Sequence, residues 1–495
     1  MQKLSAENLD SVFSHLAAYR KIFVAYSGGV DSHVLLDLLV RFRDMRSTDI
    51  TSVTSKDDMP LEIFAIHINH DIHPDADQWA AHCQQICAAL KVKCLVEKIS
   101  VNTRLAKSNK ESLEAVARKL RHQALGEVIT GYVANAIVTD EHTNDVDHNF
   151  DHCKVALVTA HHADDQAETL LLQLLRGAGP KGLAAMGCTA QFKVAGWSPA
   201  KLGYVELLRP LLSYSREMIL QYAIDHRLKW IEDSSNLNLT FGRNYLRHQV
   251  MPPLKNNWPG VLATLHRAAV NCYESNYLAE ALAQTDLAQC KAYCSGNGNG
   301  EDNNATGARD TLTISKLLQL DSIRQRNVLR YFLQQLHLPL PSRTKIEEIQ
   351  RAILFGTGDT QLLIQWQGAE VRRYQDCLYA MSPLASHDPN IVLRWDDVTV
   401  PLVLPHNLGV LCAKNLLVYD RLNFISSLST SNITVRFRTG GERVRPGGSR
   451  HHRTLKNLMQ QWQVPPWLRD RIPLIYQGDE IIEVVGYCAC IAVNI

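Results

Sequence analysis

Four short β-rich runs divide the first half of the chain: residues 21–26 (KIFVAY), 62–68 (EIFAIHI), 92–99 (VKCLVEKI) and 155–160 (VALVTA). Segments of helical periodicity separate them, and strands alternating with helices predict βαβ units on a parallel sheet. Long apolar helices are predicted over 32–42, after the first strand, and over 164–175, after the fourth. Such sheets bind ligands beyond the carboxyl ends of their strands. Here that edge carries Ser27, the stretch His67 to His70, Ser100 and His161.

The remainder is less regular. Residues 47–58 and 135–152 are polar and poor in core residues, so both read as surface insertions. The second is rich in Asp and His but lacks the spacing of a metal site. Patterns from 217 to 293 are helical, residues 295–309 (SGNGNGEDNNATGAR) form a Gly/Asn-rich linker, and 312–355 again reads as helix. Short strands and turns follow 362. The chain's 495 residues accommodate about three domains. We place an α/β parallel, doubly wound domain at 1–215, a mainly helical domain at 216–380 with its linker near 295–310, and a small α+β domain at 405–495.

Composition excludes disordered and fibrous classes, and no apolar run of about 18 residues suggests a membrane span. The twelve cysteines are scattered through a chain large enough to need no disulfide staples, so reduced thiols and a cytoplasmic location are expected. Oligomeric state is not legible, and a homodimer stays open.

Ser27-Gly28-Gly29-Val30-Asp31-Ser32 lies between the first strand and a helix. The glycine pair permits a tight turn and close backbone approach, while free amides at the helix start attract anions, typically phosphate. Ser27 and Ser32 add hydroxyl donors. Asp31 is unwelcome beside bare phosphate but suits a Mg²⁺ ion bridging phosphate oxygens. The alternative is an ordinary Gly-rich turn in which Asp31 or Ser32 caps the helix.

This S-G-G-x-D-S loop resembles the pyrophosphatase (PP) loop of the N-type ATP pyrophosphatases, which cleave ATP between its α and β phosphates and adenylate a substrate oxygen. It lacks the G-K-[ST] of a Walker loop. Further runs resemble one branch of that superfamily, the tRNA(Ile)-lysidine synthetases. They are His161-His162-Ala163-Asp164-Asp165-Gln166-Ala167-Glu168-Thr169, Arg176-Gly177-Ala178-Gly179, Glu114-Ala115-x-Ala117-Arg118-x-x-Arg121, Arg209-Pro210-Leu211-Leu212, and Glu232-Asp233-Ser234-Ser235-Asn236 leading to Arg243-Asn244-x-x-Arg247. The likeness resumes at Arg438-x-Gly440-Gly441-Glu442-Arg443 and Arg469-Asp470-x-Ile472-Pro473.

The resemblance implies an adenine nucleotide alpha hydrolase-like fold. It implies a ligase that uses ATP to join free lysine to carbon 2 of the wobble cytidine in a precursor tRNA(Ile) with a CAU anticodon. The reaction passes through an adenylated cytidine, and the lysidine formed changes the codon read from AUG to AUA. Residues Ser27, Gly28, Gly29, Val30, Asp31, Ser32, His67, Arg118 and His161 are then expected at ATP, with Asp31 at Mg²⁺. Asp31, Asp165, Glu168 and Arg209 are the expected catalytic set, and Arg176, Arg243, Arg247, Arg443, Arg445 and Lys456 are expected at tRNA.

Physical readings of these residues stay open beside the resemblance. Asp165 and Glu168 share a helix face and could hold lysine's ammonium or a metal, or serve the helix dipole. His161 and His162 could meet the nucleotide or simply end a strand. Arg118 and Arg121 could grip phosphates, and Glu114 with Arg118 could be a surface ion pair. Arg209 suits a carboxylate or developing phosphate charge. One departure stands out: the family's H-x-x-H-G-L-R after the second strand is here His67-Ile68-Asn69-His70-Asp71-Ile72-His73.

Two rivals follow from the same motifs, a PP-loop tRNA-thiolating enzyme and a non-catalytic tRNA-binding module. Thiolating members carry C-x-x-C pairs, whereas the close pairs here are Cys83/Cys87, Cys290/Cys294 and Cys488/Cys490. The intact loop disfavours the second rival.

The formal net charge of +2 hides a local asymmetry. Between 433 and 472 nine basic residues stand against Glu442 and Asp470, with His451, His452, Trp462 and Trp467 interleaved. Such a module reads as a phosphate-backbone contact surface, or as a solvated basic face.

Overall fold

In the computed structural model the described residues are Leu4, Phe13, Leu16, 18–49, 61–71, 73–99, 113–138, 155–194, 203–232, 238–240, 242–293, 310–355, 362–406, 408–418, 433–447, 449 and 451–490. Most of the 135–152 insertion, the 295–309 linker, Ser100 and the run 233–236 lie outside them. Two compact units divide the chain, 1–276 and 277–495.

The first unit is built on a six-stranded sheet of order β3-β2-β1-β4-β6-β5. Its strands are β1 (Lys21–Ala25), β2 (Glu62–Asn69), β3 (Lys93–Lys98), β4 (Val155–Val158), β5 (Thr189–Val194) and β6 (Gly203–Leu208). β3, β2, β1, β4 and β6 run parallel, and β5 adds an antiparallel edge. The predicted parallel sheet is present, and the β5–β6 pair extends it beyond the four strands read from periodicity.

Burial of both faces explains why β1 and β4 are nearly all apolar. Ile22, Val24, Ala156 and Val158 point to one face, beneath α1 (Val30–Asp49), where Val34, Leu35, Leu38 and Leu39 are fully buried. Phe23, Val155 and Leu157 point to the other, against Leu125 and Ile129 of α3 (Leu113–Val138). α2 (Ala76–Ala89) joins β2 to β3, with Cys83 and Cys87 buried one helical turn apart in the core. α4 (Ala163–Leu175) follows β4, and α5 (Arg216–Asp225) packs on α1. Buried Tyr222 of α5 donates to Asp37 of α1 at 2.7 Å, and Arg41 donates to the same carboxylate at 2.8 Å.

Within 216–380, read as mainly helical, the second unit also carries a sheet that the sequence reading did not include. Lys291–Tyr293, Asp310–Thr313, Cys377–Met381, Ala369–Tyr374 and Leu363–Trp366 form a five-stranded antiparallel sheet in that order. Helices Ser322–Gln335 and Arg343–Phe355 pack with it around Leu312, Phe332 and Ile349. Leu312 and Thr313, read from sequence as the start of a helix, belong to a strand. Their partner is Cys377–Tyr379, more than sixty residues later, a pairing that local periodicity does not carry. Ile433–Arg436, Leu474–Gln477 and Glu480–Val484 anchor a further five-stranded sheet, matching the predicted α+β terminus.

Among the described residues no helix is long and apolar enough to cross a membrane. The described cysteines are free thiols.

Candidate active site

The loop between β1 and α1 is held from below. Gly28 has φ +83°, its carbonyl accepts from Ile231 N at 3.0 Å, and a Cβ there would lie 2.8 Å from both Cys83 Sγ and Ile231 Cδ1. Glycine is therefore required twice, by backbone conformation and by space. Gly28→Ala is expected to destabilise the fold by about 2–4 kcal/mol, combining left-handed strain with overpacking. Urea denaturation measures this, and a change below about 0.5 kcal/mol contradicts the packing described.

Above that floor the loop presents its polar groups. Ser27 Oγ and Ser32 Oγ are 3.1 Å apart, and the Ser32 hydroxyl donates to Gly29 O at 3.0 Å. Asp31 sits in the first turn of α1 with its Oδ1 buried and unpartnered. Burial works against ionisation of this carboxyl, but His162, Arg216 and Arg247 outweigh it and hold the pKa below the usual carboxylate range. Asp31 is thus an anion with one open oxygen.

α4 begins beside it. His162, only 1% exposed, caps this helix: Asp165 N donates to its Nδ1 at 3.4 Å, and its own N donates to Asp165 Oδ2 at 3.2 Å. The reciprocal pair is a capping box with histidine in the place usually held by Ser or Thr. On the ring's other side, Nε2 lies 3.4 Å from Asp165 Oδ2 and 3.7 Å from Asp31 Oδ2. Burial opposes protonation of His162, yet Asp31, Asp165 and Asp164 raise its pKa above the ordinary value. Capping and protonation both leave a proton on Nε2.

Glu168, one turn further and also 1% exposed, is fully engaged. Arg243 Nε reaches Oε2 at 2.7 Å, while Arg247 reaches Oε1 at 2.7 Å through Nε and Oε2 at 3.1 Å through Nη2. Both arginines also approach Asp165 Oδ1, at 3.5 and 3.1 Å. The structure therefore brings together five residues assigned from sequence to three different tasks. Arg243 and Arg247, expected at tRNA, turn their guanidiniums onto Glu168 and Asp165. Glu168, expected at lysine, already has both oxygens occupied, because a buried carboxylate requires such partners.

A cationic wall faces the cluster. Arg209 Nη1 donates to Gly187 O at 2.7 Å, but its Nε is buried without a partner. Burial and nearby Arg118 lower the basicity of Arg209. His161, whose Nδ1 is 2.9 Å from Thr159 Oγ1, is pushed down to about 4 by burial and by Arg209, Arg243 and Arg118, against the pull of Asp165. It is neutral at physiological pH. The side chains of Arg118 and Arg176 are exposed.

Along the β2 edge, His67 Nδ1 contacts Tyr26 O at 3.1 Å and Cys83 Sγ at 3.4 Å, so it packs into the loop's floor. Arg121 donates to His70 Nε2 through Nε at 3.0 Å. Asp71, standing where the family pattern has glycine, adopts φ +53°, and its amide donates to Asn69 Oδ1 at 2.9 Å. The turn thus has a left-handed residue here, with aspartate tolerated by its short polar side chain.

Sequence reasoning missed three supports. Gln166 pins the strand-entry loop by donating to Met186 O at 2.8 Å and accepting from Met186 N at 2.9 Å. Asp164 accepts from Arg216 N at 2.8 Å and Lys255 Nζ at 2.5 Å, tying α4 to α5. His162 is the third, and its signal was readable: a polar residue three places before an acid at a helix start.

In the second unit, the basic segment divides. Arg445 donates to Ser449 O, Arg469 to Val464 O, and Arg436 to Gly478 O while lying over the Tyr476 ring. Trp462 stacks on Tyr487, and Trp467 packs edge-on to Tyr379. These aromatics are packing groups. Arg443, Arg453 and Lys456 are exposed on and beside the hairpin Arg443–Val444/Arg453–Thr454.

Comparison with known proteins agrees with this anatomy. A PP-loop domain model matches residues 1–150 and 147–254, a TilS substrate binding domain model matches 312–379, and a TilS substrate C-terminal domain model matches 433–494. The tRNA(Ile)-lysidine synthase of Coxiella burnetii is 38% identical over 489 residues, covering 98% of this chain and 92% of that protein. The enzyme of the same name from Alkalilimnicola ehrlichii is 35% identical over 486 residues, covering 98% and 93%. That from Legionella pneumophila (strain Paris) is 32% identical over 477 residues, covering 96% and 93%.

Proposed function

The chain belongs to the tRNA(Ile)-lysidine synthase family, and from that premise we propose that it joins lysine to carbon 2 of the wobble cytidine in a precursor tRNA(Ile) with a CAU anticodon. ATP is consumed, and AMP and pyrophosphate are released. The observation that carries the reading is the meeting of two helix starts, α1 with Asp31 and α4 with Asp165, 3.7 and 3.4 Å from one buried histidine nitrogen. One start suits an anion and the other an amine, and a ligase of this class needs both within reach of one base.

The chemistry proceeds in two displacements. A carbonyl oxygen on C2 leaves poorly, so it first attacks the α-phosphate of ATP and expels pyrophosphate. Lysine's ε-amine then attacks C2, AMP leaves with the former carbonyl oxygen, and the amine gives up a proton. Ser27, Ser32 and the amides at the start of α1 cradle the phosphates. Arg209, with a buried unpartnered Nε, is suited to the charge that builds on the transferring group. Asp165, whose side chain is more exposed than Glu168's, receives the ammonium of lysine, while Glu168 fixes Arg243 and Arg247. Catalysis here is positioning and electrostatics.

Asp31 Oδ1, buried and unpartnered, would suit a divalent cation. Mg²⁺ held there would neutralise charge on the leaving pyrophosphate. Among the described residues no group of three or more His, Cys, Asp or Glu could hold a metal ion. Work on ATP and a precursor tRNA belongs in the cytoplasm.

Arg443, Arg453 and Lys456 supply the exposed charge for the tRNA backbone. Replacing Arg443 and Lys456 with alanine is expected to weaken tRNA binding and to reduce the slope of log affinity against log salt by about one per charge removed. Filter binding across a salt series measures it, and an unchanged slope moves the contact elsewhere.

The reading is tested by transfer of labelled lysine to a CAU-anticodon tRNA(Ile) transcript in the presence of ATP. ATP-dependent incorporation is expected. Modification driven by a sulfur donor without lysine would point to the thiolating branch instead.

A further inference from the structure

We propose that His162 is a positioning residue that couples occupancy of the loop at Asp31 to binding of the amine at Asp165. The inference rests on the functional reading above, which puts nucleotide phosphate at one carboxylate and lysine at the other.

His162 is fixed at three points. Its backbone N donates to Asp165 Oδ2 at 3.2 Å, its Nδ1 accepts from Asp165 N at 3.4 Å, and the ring is almost wholly buried. Nε2 is thereby aimed between two carboxylates, 3.4 Å from Asp165 Oδ2 and 3.7 Å from Asp31 Oδ2. Both separations exceed the roughly 2.7–3.2 Å of a well-formed hydrogen bond, so Nε2 faces both carboxylates at ion-pair range and is committed to neither. The elements behind each acceptor are stiff. Asp31 lies in the first turn of α1, and α4 is tied by Asp164 to Arg216 N and Lys255.

A ligand on the loop that engages Asp31 leaves the N–H to Asp165 alone. Asp165 Oδ2 is then held by both the backbone N and Nε2 of His162, which fixes the carboxylate before the amine arrives. Ordering done by the first ligand need not be repeated by the second, so each tightens the other's binding. The coupling is reciprocal by thermodynamic necessity.

Two substitutions separate bridge from cap. In His162→Asn the side-chain oxygen can replace Nδ1 as helix cap but nothing reaches the position of Nε2. In His162→Gln an amide N–H reaches toward that position. Calorimetric titration of the full chain with L-lysine, with a non-hydrolysable ATP analogue plus MgCl₂, and with each in the presence of the other reads the coupling directly. The wild type is expected to show roughly tenfold mutual tightening, within the usual range for coupled sites. His162→Asn should retain both separate affinities and a near-wild-type melting midpoint, with mutual tightening reduced to about twofold by loss of the bridge. His162→Gln should recover part of it.

Undiminished coupling in His162→Asn overturns the inference. So does loss of stability and of both affinities together in both variants, which would make the residue a cap alone. Absence of lysine binding to the wild type, with or without the analogue, removes the functional reading itself and this inference with it.

Discussion

Glu168→Ala is expected to destabilise the first unit by about 3–5 kcal/mol, the range for removing one partner of a buried ion pair, and to lower its melting midpoint by roughly 6–20 °C. The reason lies less in the bonds lost than in what remains. Two guanidiniums, Arg243 and Arg247, aim three short contacts of 2.7, 2.7 and 3.1 Å at a carboxylate that is 1% exposed. Without it they crowd Asp165, and the helical turn that carries them loses its anchor to α4. Burial alone pushes the Arg247 guanidinium toward neutrality, but Glu168, Asp165 and Asp31 keep it charged. Adding Arg247→Met to Glu168→Ala should therefore recover part of the loss, since the second change removes an orphaned charge. Thermal melts of the single and double variants make the comparison, and a shift below about 2 °C for Glu168→Ala would show that the cluster relaxes into solvent.

Asp31→Asn is expected to behave in the opposite way, with little change in stability and a fall in turnover of at least about 10³-fold, comparable to removing a key electrostatic group from an active site. Asparagine preserves shape, so the loop should survive. What disappears is the anion with an open oxygen, buried and held ionised by His162, Arg216 and Arg247. Binding of tRNA should stay within about twofold, because the charge assigned to the tRNA backbone lies on Arg443, Arg453 and Lys456 in the other unit. Pre-steady-state turnover and filter binding separate the two effects. Equal losses in both would make Asp31 structural.

These two acids show how far sequence alone reaches. Asp31 was legible because its loop obeys a local rule: two glycines, a strand before and a helix after place its neighbours without reference to anything distant. The parallel sheet was legible for the same reason, since β1 and β4 are buried on both faces and their runs are short and apolar. The ion pairs of Glu168 were not legible because their partners come from 75 and 79 residues downstream, and helix-face spacing cannot report a guanidinium arriving from another segment. Arg243 and Arg247, which the resemblance places at tRNA, are those partners. The strand containing Leu312 was lost in a helical pattern because its pairing partner begins at Cys377. In the terminal domain the charge count does not report that Arg436, Arg445 and Arg469 spend donors on backbone carbonyls of their own unit. Asp71 repays attention for the converse reason. The family pattern has glycine there, and the structure shows an aspartate in the left-handed region at φ +53°.

In the proposed reaction this site couples ATP cleavage between the α and β phosphates to attachment of lysine on one base. Its most direct measurement is the stoichiometry of pyrophosphate, AMP and tRNA-bound lysine formed by the purified chain with a CAU-anticodon tRNA(Ile) transcript and ATP. With lysine present, the three products are expected in equal amounts and all are expected to vanish in Asp31→Asn. Pyrophosphate released in steady turnover with no lysine joined to the tRNA would contradict the account.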